Sequence, residues 1–382
     1  MKTCVQCLEK NSTYNNIYIN NLCGACRQHN YYLNRESREN DLSVILNLAK
    51  KKNRTYDCIV PVRADAEDYY IINFLISKKI NPLVVLVNNY FLNDIAWQNY
   101  HNMITVFDVD SVVYNPEISS YKNLVRGSLR KFNSIYYPYK SIHHAYIAQL
   151  ASEKKIPLIV WGQCQPIEFS GKYRRSDNLR VTNWWIIEHE LSGHQLDDKF
   201  FLSVNVNKNE AKKYTLLDNF EKKNIEAIFL SNYMLWDQFD NNMHALDFGF
   251  IGEDHVSFYD SLENAGSSVY YNFHDLLRLI NTGKSKIEIH LSRDKRFCRI
   301  GKNVLKDTDL TKFLCYQPYP FFRDFLDTTR SGYNWFLENR LLRFKNLIKE
   351  MPDNNIKDYI TIFKDFKTDS PRKNYIKFHK GI

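Results

Sequence analysis

The sequence lacks any long hydrophobic run. No stretch reaches the length of about 18 apolar residues that a membrane-spanning helix needs, so we expect no membrane span. The first residues, Met1 to Cys4, lead into no apolar segment of the kind found in secretory signals. There is no internal repeat and no low-complexity linker. These absences together predict a cytoplasmic protein.

The chain is also not strongly biased in composition. Its 382 residues are 44% hydrophobic and 25% charged, which is ordinary for a folded protein of enzyme size. The formal net charge of +9 is spread over a long chain, which favours a solvated basic surface over a nucleic-acid-binding footprint. We therefore expect no nucleic-acid partner.

Four cysteines near the start form the most specific motif. Cys4 and Cys7 make one CxxC pair, Cys23 and Cys26 make a second, and 15 residues separate the pairs. Two such pairs supply the four soft ligands of a tetrahedral zinc site, and a closed four-sulfur shell leaves no position for a catalytic water. Residues 1–30 are too poor in apolar side chains to fold on a core alone. The spacing predicts a structural Zn²⁺ module, against the alternative of four unrelated thiols.

After this module, short apolar runs alternate with helical patterns. This alternation is typical of an α/β fold with a doubly wound parallel sheet that is covered on both faces. The predicted strands are Asp57–Val62, Pro82–Val87, Ile104–Asp108, Pro157–Trp161 and Ala227–Leu230. The predicted helices are Glu36–Lys51, Asp65–Lys78, Lys122–Phe132, Ser141–Lys154, Phe273–Ile280 and Tyr333–Lys349.

The pattern divides the chain into four parts. Residues 1–30 form the zinc module, 31–235 the α/β domain, 236–366 a mainly helical C-terminal region and 367–382 a basic tail that we expect to fray. The pair His143-His144 suggests a base or a metal ligand, but we expect these side chains to be merely solvated.

Several segments, taken in order, resemble one protein family. They are the double CxxC, Tyr56–Val62 (YDCIVPV), Ile156–Gln163 (IPLIVWGQ), Glu168–Gly171 (EFSG), Trp236-Asp237, His274-Asp275 and His290–Asp294 (HLSRD). This series is similar to that of the N-acetyl sugar amidotransferases of surface-polysaccharide (lipopolysaccharide) and flagellar-glycan synthesis. The resemblance covers most of the chain.

The resemblance implies a fold and an activity. The fold is that of the ATP pyrophosphatases (PP-loop, HUP-like). The activity is an ATP-dependent amidotransferase reaction of the amide-forming ligase type, in which the acetamido group of an N-acetylated, nucleotide-linked sugar becomes an acetamidino group. ATP and Mg²⁺ would be the cofactors, and a glutaminase subunit would supply ammonia.

The resemblance also implies site residues. The catalytic candidates are Asp237, His274, His290, Arg293 and Asp294. The candidates for binding nucleotide or substrate are Arg63, Asp65, Glu67, Asp68, Trp161, Gly162, Gln163 and Glu168. An alternative for the polar residues after Gln163 is that they cap helices and form buried pairs.

The nucleotide loop departs from the family pattern. The family carries SGGxDS after the first strand, where this chain has Arg63-Ala64-Asp65-Ala66-Glu67-Asp68. Close approach of backbone to phosphate needs residues without a Cβ, and three carboxylates repel a phosphate. Gln163 also replaces a glutamate, and Lys284-Ser285-Lys286 replaces a glycine-rich run. We expect the loop not to hold ATP as an intact phosphate loop does.

Two hypotheses from different classes follow. The first is an amidotransferase-like enzyme with a divergent ATP loop. The second is a non-catalytic relative, a pseudoenzyme that keeps the fold and the zinc and serves as a binding partner or scaffold in the same glycan pathway.

Overall fold

The fold was analysed on a computed structural model of the chain. It describes residues 3–9, 20–33, 38–50, 55–165, 180–191, 193, 195–217, 224–252, 262, 269–282, 286–301, 321–327, 336 and 339. The predicted helix Tyr333–Lys349 lies outside the described residues except for Phe336 and Asn339, and so does the tail 367–382.

Five parallel strands form one sheet in the order β3-β2-β1-β4-β5. Their bounds are β1 Cys58–Val62, β2 Pro82–Val87, β3 Ser111–Tyr114, β4 Leu158–Trp161 and β5 Glu226–Phe229. In the register, Cys58 lies opposite both Pro82 and Leu158, so β1 is the centre of the sheet. This is the order of a doubly wound α/β sheet, as the alternation of strands and helices predicts.

The sheet is covered on both faces because its central strands carry apolar side chains on both sides. Ile59 and Val85 belong to one core cluster, whereas Val60 and Val84 belong to the other. The helices are α1 Gly24–Leu33, α2 Glu39–Ala49, α3 Ala66–Ser77, α4 Asp94–Val106, α5 Ile118–Phe132, α6 Tyr137–Lys154, α7 Asn183–Trp185, α8 Asp198–Ser203, α9 Lys208–Lys213, α10 Gln238–Leu246, α11 Tyr271–Thr282 and α12 Lys286–Arg296. The first cluster packs under α5, α6, α8, α9 and α11, and the second packs under α2, α3, α4 and α10.

The third predicted strand is wrong. Residues Ile104 to Val106 are the last turn of α4, and the third strand is Ser111–Tyr114. Within this run Ile104 and Phe107 pack partly buried against the core, whereas Val106 is 46% exposed. The true strand lies at the edge of the sheet and alternates between exposed and half-buried positions, so it has no continuous apolar run.

The other sequence-based elements that fall on described residues are confirmed within a few residues. Helix α5 begins at Ile118 and α6 at Tyr137, each about one turn before the predicted start. None of the helices in the described ranges is long and apolar enough to cross a membrane.

Candidate site at the carboxyl edge of the sheet

The site candidates from the first half of the chain gather where β1 and β4 end. These two strands are neighbours, but the chain leaves β1 toward one side of the sheet and β4 toward the other. Doubly wound sheets bind their ligands in the crevice that opens at such a point. Arg63 follows β1 and Gly162 follows β4, so the loop before α3 and the Trp161–Gln163 segment form the two walls of this crevice.

The Asp68 side chain accepts hydrogen bonds from backbone N–H groups of the loop before α3. Its Oδ2 accepts hydrogen bonds from the backbone N–H of Arg63 at 2.8 Å and of Asp65 at 3.0 Å. Asp65 is the N-cap residue of α3, and Asp68 is the third residue of that helix. Two of the backbone N–H groups that a phosphate could meet in this loop, those of Arg63 and Asp65, are therefore already engaged.

The obstruction by Asp68 is one of hydrogen bonding more than of charge. Burial and the neighbouring Asp65 raise the pKa of Asp68 to about 8, although the Arg63 guanidinium acts in the opposite direction. At neutral pH the Asp68 carboxyl is therefore largely protonated. The sequence-based argument counted three repelling carboxylates here, and burial removes much of the repulsion expected from Asp68.

Glu67 closes the crevice from the side of α3. Its Oε1 accepts the backbone N–H of Gln163 at 2.5 Å. A Cβ on Gly162 would lie only 2.0 Å from the same oxygen, so a larger residue fits here only if the Glu67 side chain moves. The Glu67 carboxyl thus lies directly between β1 and β4, where a ligand of the doubly wound fold would enter.

Ala64 keeps the backbone shape of a glycine. Its φ is +64°, a left-handed conformation that residues with a Cβ seldom adopt. Ala64 stands where the resembled family has the first glycine of its loop.

Arg63 is drawn toward the acidic side chains of its own loop. Its Nε lies 3.4 Å from Asp65 and its Nη2 lies 3.9 Å from Glu67, while its side chain remains 41% exposed. The loop therefore offers solvent a guanidinium that is already opposed by two carboxylates.

The expectation that His143 and His144 are solvated is wrong. His143 and His144 lie on α6 and are buried, not solvated, with 6% and 8% exposure. Their rings lie 5.1 Å and 4.8 Å from the Trp161 ring at the end of β4. The signal in the sequence was α6 itself, because its residues from Tyr137 to Ala151 include a single charged side chain, Lys140, as expected for a helix buried on most sides.

These imidazoles are neutral. Burial lowers the pKa of His143 well below its ordinary value, and His144 and Arg63 act in the same direction. Burial also lowers the pKa of His144 to about 4, against the raising effect of Glu190. Within the part of the chain that the structure describes, His143 Nε2 is a buried nitrogen with no hydrogen-bond partner. Beside them, Lys140 Nζ pairs with Glu190 at 3.1 Å.

The acidic candidates of the second half are held in an ion-pair network. Asp237 is the N-cap of α10, accepts the N–H of Phe239 at 3.1 Å and pairs with Arg299. Asp294 Oδ1 lies 3.0 Å from Arg293 Nε and 3.2 Å from Arg299 Nη1. These contacts are those of capping and paired residues. That Asp237, Arg293 or Asp294 also contacts a substrate stays a prediction.

The two histidine candidates of the second half lie on α11 and α12, and His290 precedes Arg293 and Asp294 by about one turn of α12. His274 on α11 packs its ring 4.3 Å from that of Tyr136, and His290 on α12 is fully buried. Burial lowers the pKa of each well below its ordinary value. Asp275 accepts the N–H of Lys286 at 2.9 Å and so caps α12. The last candidate, Glu168, lies outside the described residues.

One small cavity joins the two halves of the candidate set. It is lined by Gln163 from the end of β4, by Trp236, and by Arg293 from α12, together with residues of the cysteine module. Gln163 thus donates its backbone N–H to Glu67 and also lines the cavity to which Arg293 contributes.

The four cysteines form a site that fits a metal ion. Their Sγ atoms all lie within 4.8 Å of one another and all four residues are buried. Cys7 Sγ and Cys23 Sγ are 3.7 Å apart. Zinc–sulfur bonds of about 2.3 Å in a tetrahedron place two sulfurs about 3.8 Å apart. The backbone N–H of Cys23 donates to Cys4 Sγ at 3.3 Å, which stabilises thiolate ligands. Zn²⁺ held here would be structural, because the four sulfurs complete its shell.

The fold and the site define a doubly wound α/β protein with a cysteine metal module. No protein-family model matches the sequence, and no curated protein matches it. Among solved structures, the chain is similar to the NMN synthetase from Francisella tularensis. That similarity has a TM-score of 0.29 and 9% identity, over 71% of this chain and 98% of the other. The fold assignment therefore depends on the strand order and register of the sheet itself.

Proposed function

We propose that this protein is an N-acetyl sugar amidotransferase-like protein that binds an N-acetylated, nucleotide-linked sugar and does not cleave ATP through the loop before α3. The single observation that carries the proposal is the pair of hydrogen bonds from Arg63 and Asp65 to Asp68. The sugar and the glycan pathway come from the sequence resemblance.

ATP binding is disfavoured because backbone N–H groups that would bind its phosphates already donate to side chains of the protein. A phosphate binds a helix amino terminus through free backbone N–H groups. Here the loop amides donate to Asp68, and the N–H of Gln163 donates to Glu67. A phosphate would first have to break these bonds, each worth about 1–3 kcal/mol. Since about 1.4 kcal/mol is a tenfold change in affinity, losing two such bonds weakens binding by one to several orders of magnitude.

The argument for a sugar is one of surface chemistry. Trp161 presents a partly exposed ring next to two neutral imidazoles, with Arg63 and Lys140 about 40% exposed nearby. The apolar C–H face of a pyranose packs on an aromatic ring, while its hydroxyl and acetamido groups take hydrogen bonds from polar side chains.

Calorimetric titration tests the proposal directly. UDP-linked and CMP-linked N-acetyl sugars should bind in the absence of ATP, and ATP–Mg²⁺ alone should show no heat of binding. Trp161→Ala should weaken sugar binding at least about tenfold, or about 1.4 kcal/mol. Trp184→Ala is the matched control, because Trp184 is 64% exposed and lies in another segment. Equal loss in both variants would contradict the assignment of Trp161.

A pyrophosphate assay tests the other half of the proposal. The protein alone should release no pyrophosphate from ATP above background. Rebuilding the family loop takes Arg63→Ser, Ala64→Gly, Asp65→Gly, Glu67→Asp and Asp68→Ser together, and this variant should bind nucleotide better than the natural chain. Pyrophosphate release by the natural chain that disappears on changing Asp68 alone would refute the argument against ATP binding.

A second candidate function is the amidotransferase reaction itself. It is favoured by the cavity in which Gln163, Trp236 and Arg293 converge at the same edge of the sheet. Incubation with the sugar nucleotide, ATP–Mg²⁺ and an ammonium salt would then replace the acetamido oxygen by NH, which mass spectrometry detects. If the sugar binds but no such product forms, the second candidate function is ruled out and sugar binding is the function that remains.

A further inference from the structure

The cysteine module contacts the C-terminal helix α12. The ring of His29, three residues after Cys26, lies 4.5 Å from the ring of Phe297, which follows α12. Ala25 and His29 line the same cavity as Arg293 and Arg296. The module therefore forms part of the wall that carries Arg293.

Charge gives this contact a specific chemistry. A Zn²⁺ ion with four thiolates carries a net charge of about −2, and buried charge is costly unless it is opposed. The four cysteines are at most 1% exposed. Arg296, the last residue of α12, is 4% exposed and interacts electrostatically with Cys26, Cys7, Cys23 and Glu9.

We propose that Arg296 is a positioning residue for the metal site: it opposes the charge of the loaded cysteine cluster and thereby fastens the module to α12. Metal binding then orders the cavity wall formed by Arg293 and Gln163. The proposal rests on a metal at the four cysteines and is independent of which sugar or nucleotide the protein binds.

Arginine suits this position better than lysine. Its guanidinium is planar, always charged and weakly hydrated, so it tolerates burial beside a charged group better than an ammonium does. Groups that surround the ligands of a metal typically change its affinity by about 10–100-fold when they are removed.

The first measurement needs no variant. Amide hydrogen exchange over Lys286–Arg296 is compared in the full chain with zinc and after a chelator has removed it. We expect exchange in α12 to become faster without zinc. Unchanged exchange in α12 after complete metal removal would overturn the proposal.

The second measurement uses Arg296→Gln and Arg296→Lys, with zinc affinity read by competition with a chromogenic chelator. Arg296→Gln should weaken zinc binding by about 10–100-fold and give zinc-loaded protein whose α12 exchanges like that of metal-free wild type. Arg296→Lys, which keeps the charge, should lose less. Arg130→Gln on the exposed face of α5 is the control and should keep the zinc affinity of wild type.

Wild-type zinc affinity in Arg296→Gln would overturn the proposal. If that variant fails to fold, the comparison of Arg296→Lys with Arg130→Gln and the chelator experiment decide it.

Discussion

Substituting Gly162 tests whether Glu67 closes the crevice. An alanine Cβ at this position would lie 2.0 Å from Glu67 Oε1 and 2.7 Å from Ile71 Cδ1. The Glu67 side chain must move away, which breaks its hydrogen bond with the N–H of Gln163. A hydrogen bond to a carboxylate is worth about 1.5–3 kcal/mol, and overpacking costs about 1–3 kcal/mol. Gly162→Ala should therefore lower the free energy of unfolding by about 2.5–6 kcal/mol.

A double-mutant cycle separates this clash from a general loss of backbone freedom. Glu67→Ala removes the carboxyl group that the new Cβ would strike. In that background Gly162→Ala should cost under about 1–2 kcal/mol, because the remaining neighbour is the flexible end of Ile71. The measurement is urea unfolding followed by circular dichroism, with linear extrapolation for all four proteins. An equal cost of Gly162→Ala in both backgrounds would refute the position assigned to Glu67.

Two further predictions concern the cysteines and the loop. The chain should bind one zinc ion at Cys4, Cys7, Cys23 and Cys26, and Cys23→Ser should lower the zinc content and destabilise the module; unchanged zinc by mass spectrometry would count against the site. Burial raises the pKa of Asp68 from 3.8 to about 8, so its stabilising contribution is complete below about pH 4 and is lost as the pH rises through 8. Asp68→Asn keeps a carbonyl acceptor for the two loop amides, and its urea midpoint should fall less between pH 4 and pH 8 than that of wild type. Parallel pH profiles of the two proteins would contradict the raised pKa.

The central strands were predictable because burial on both faces leaves a mark in the sequence. Cys58–Val62 and Pro82–Val87 are buried at every position, so their runs are continuously apolar. The edge strand Ser111–Tyr114 lacks that mark, since it is only half covered. The apolar end of α4 resembled a buried strand, because the end of a helix and a buried strand can both present a short apolar run.

The site was predictable in its chemistry but not in its contacts. The cysteine spacing and the altered loop could be identified from residue types alone. That Asp68 turns back to its own loop amides depends on the turn at Ala64 and on the start of α3. The burial of His143 depends on α6 packing beside Trp161 at the end of β4. Contacts of this kind are set by tertiary packing, which no local pattern specifies.

The loop before α3 supplies hydrogen-bond acceptors for its own backbone from within the chain. A phosphate loop without its ligand exposes backbone N–H groups that only water satisfies. In this chain the loop turns through a left-handed residue at Ala64, and the Asp68 carboxyl accepts hydrogen bonds from the backbone N–H groups of Arg63 and Asp65. The side chain acts as an internal ligand, present in every molecule and independent of nucleotide concentration. The crevice is therefore closed by the same interactions that stabilise the start of α3, and reopening it requires a new source of hydrogen bonds for those amides.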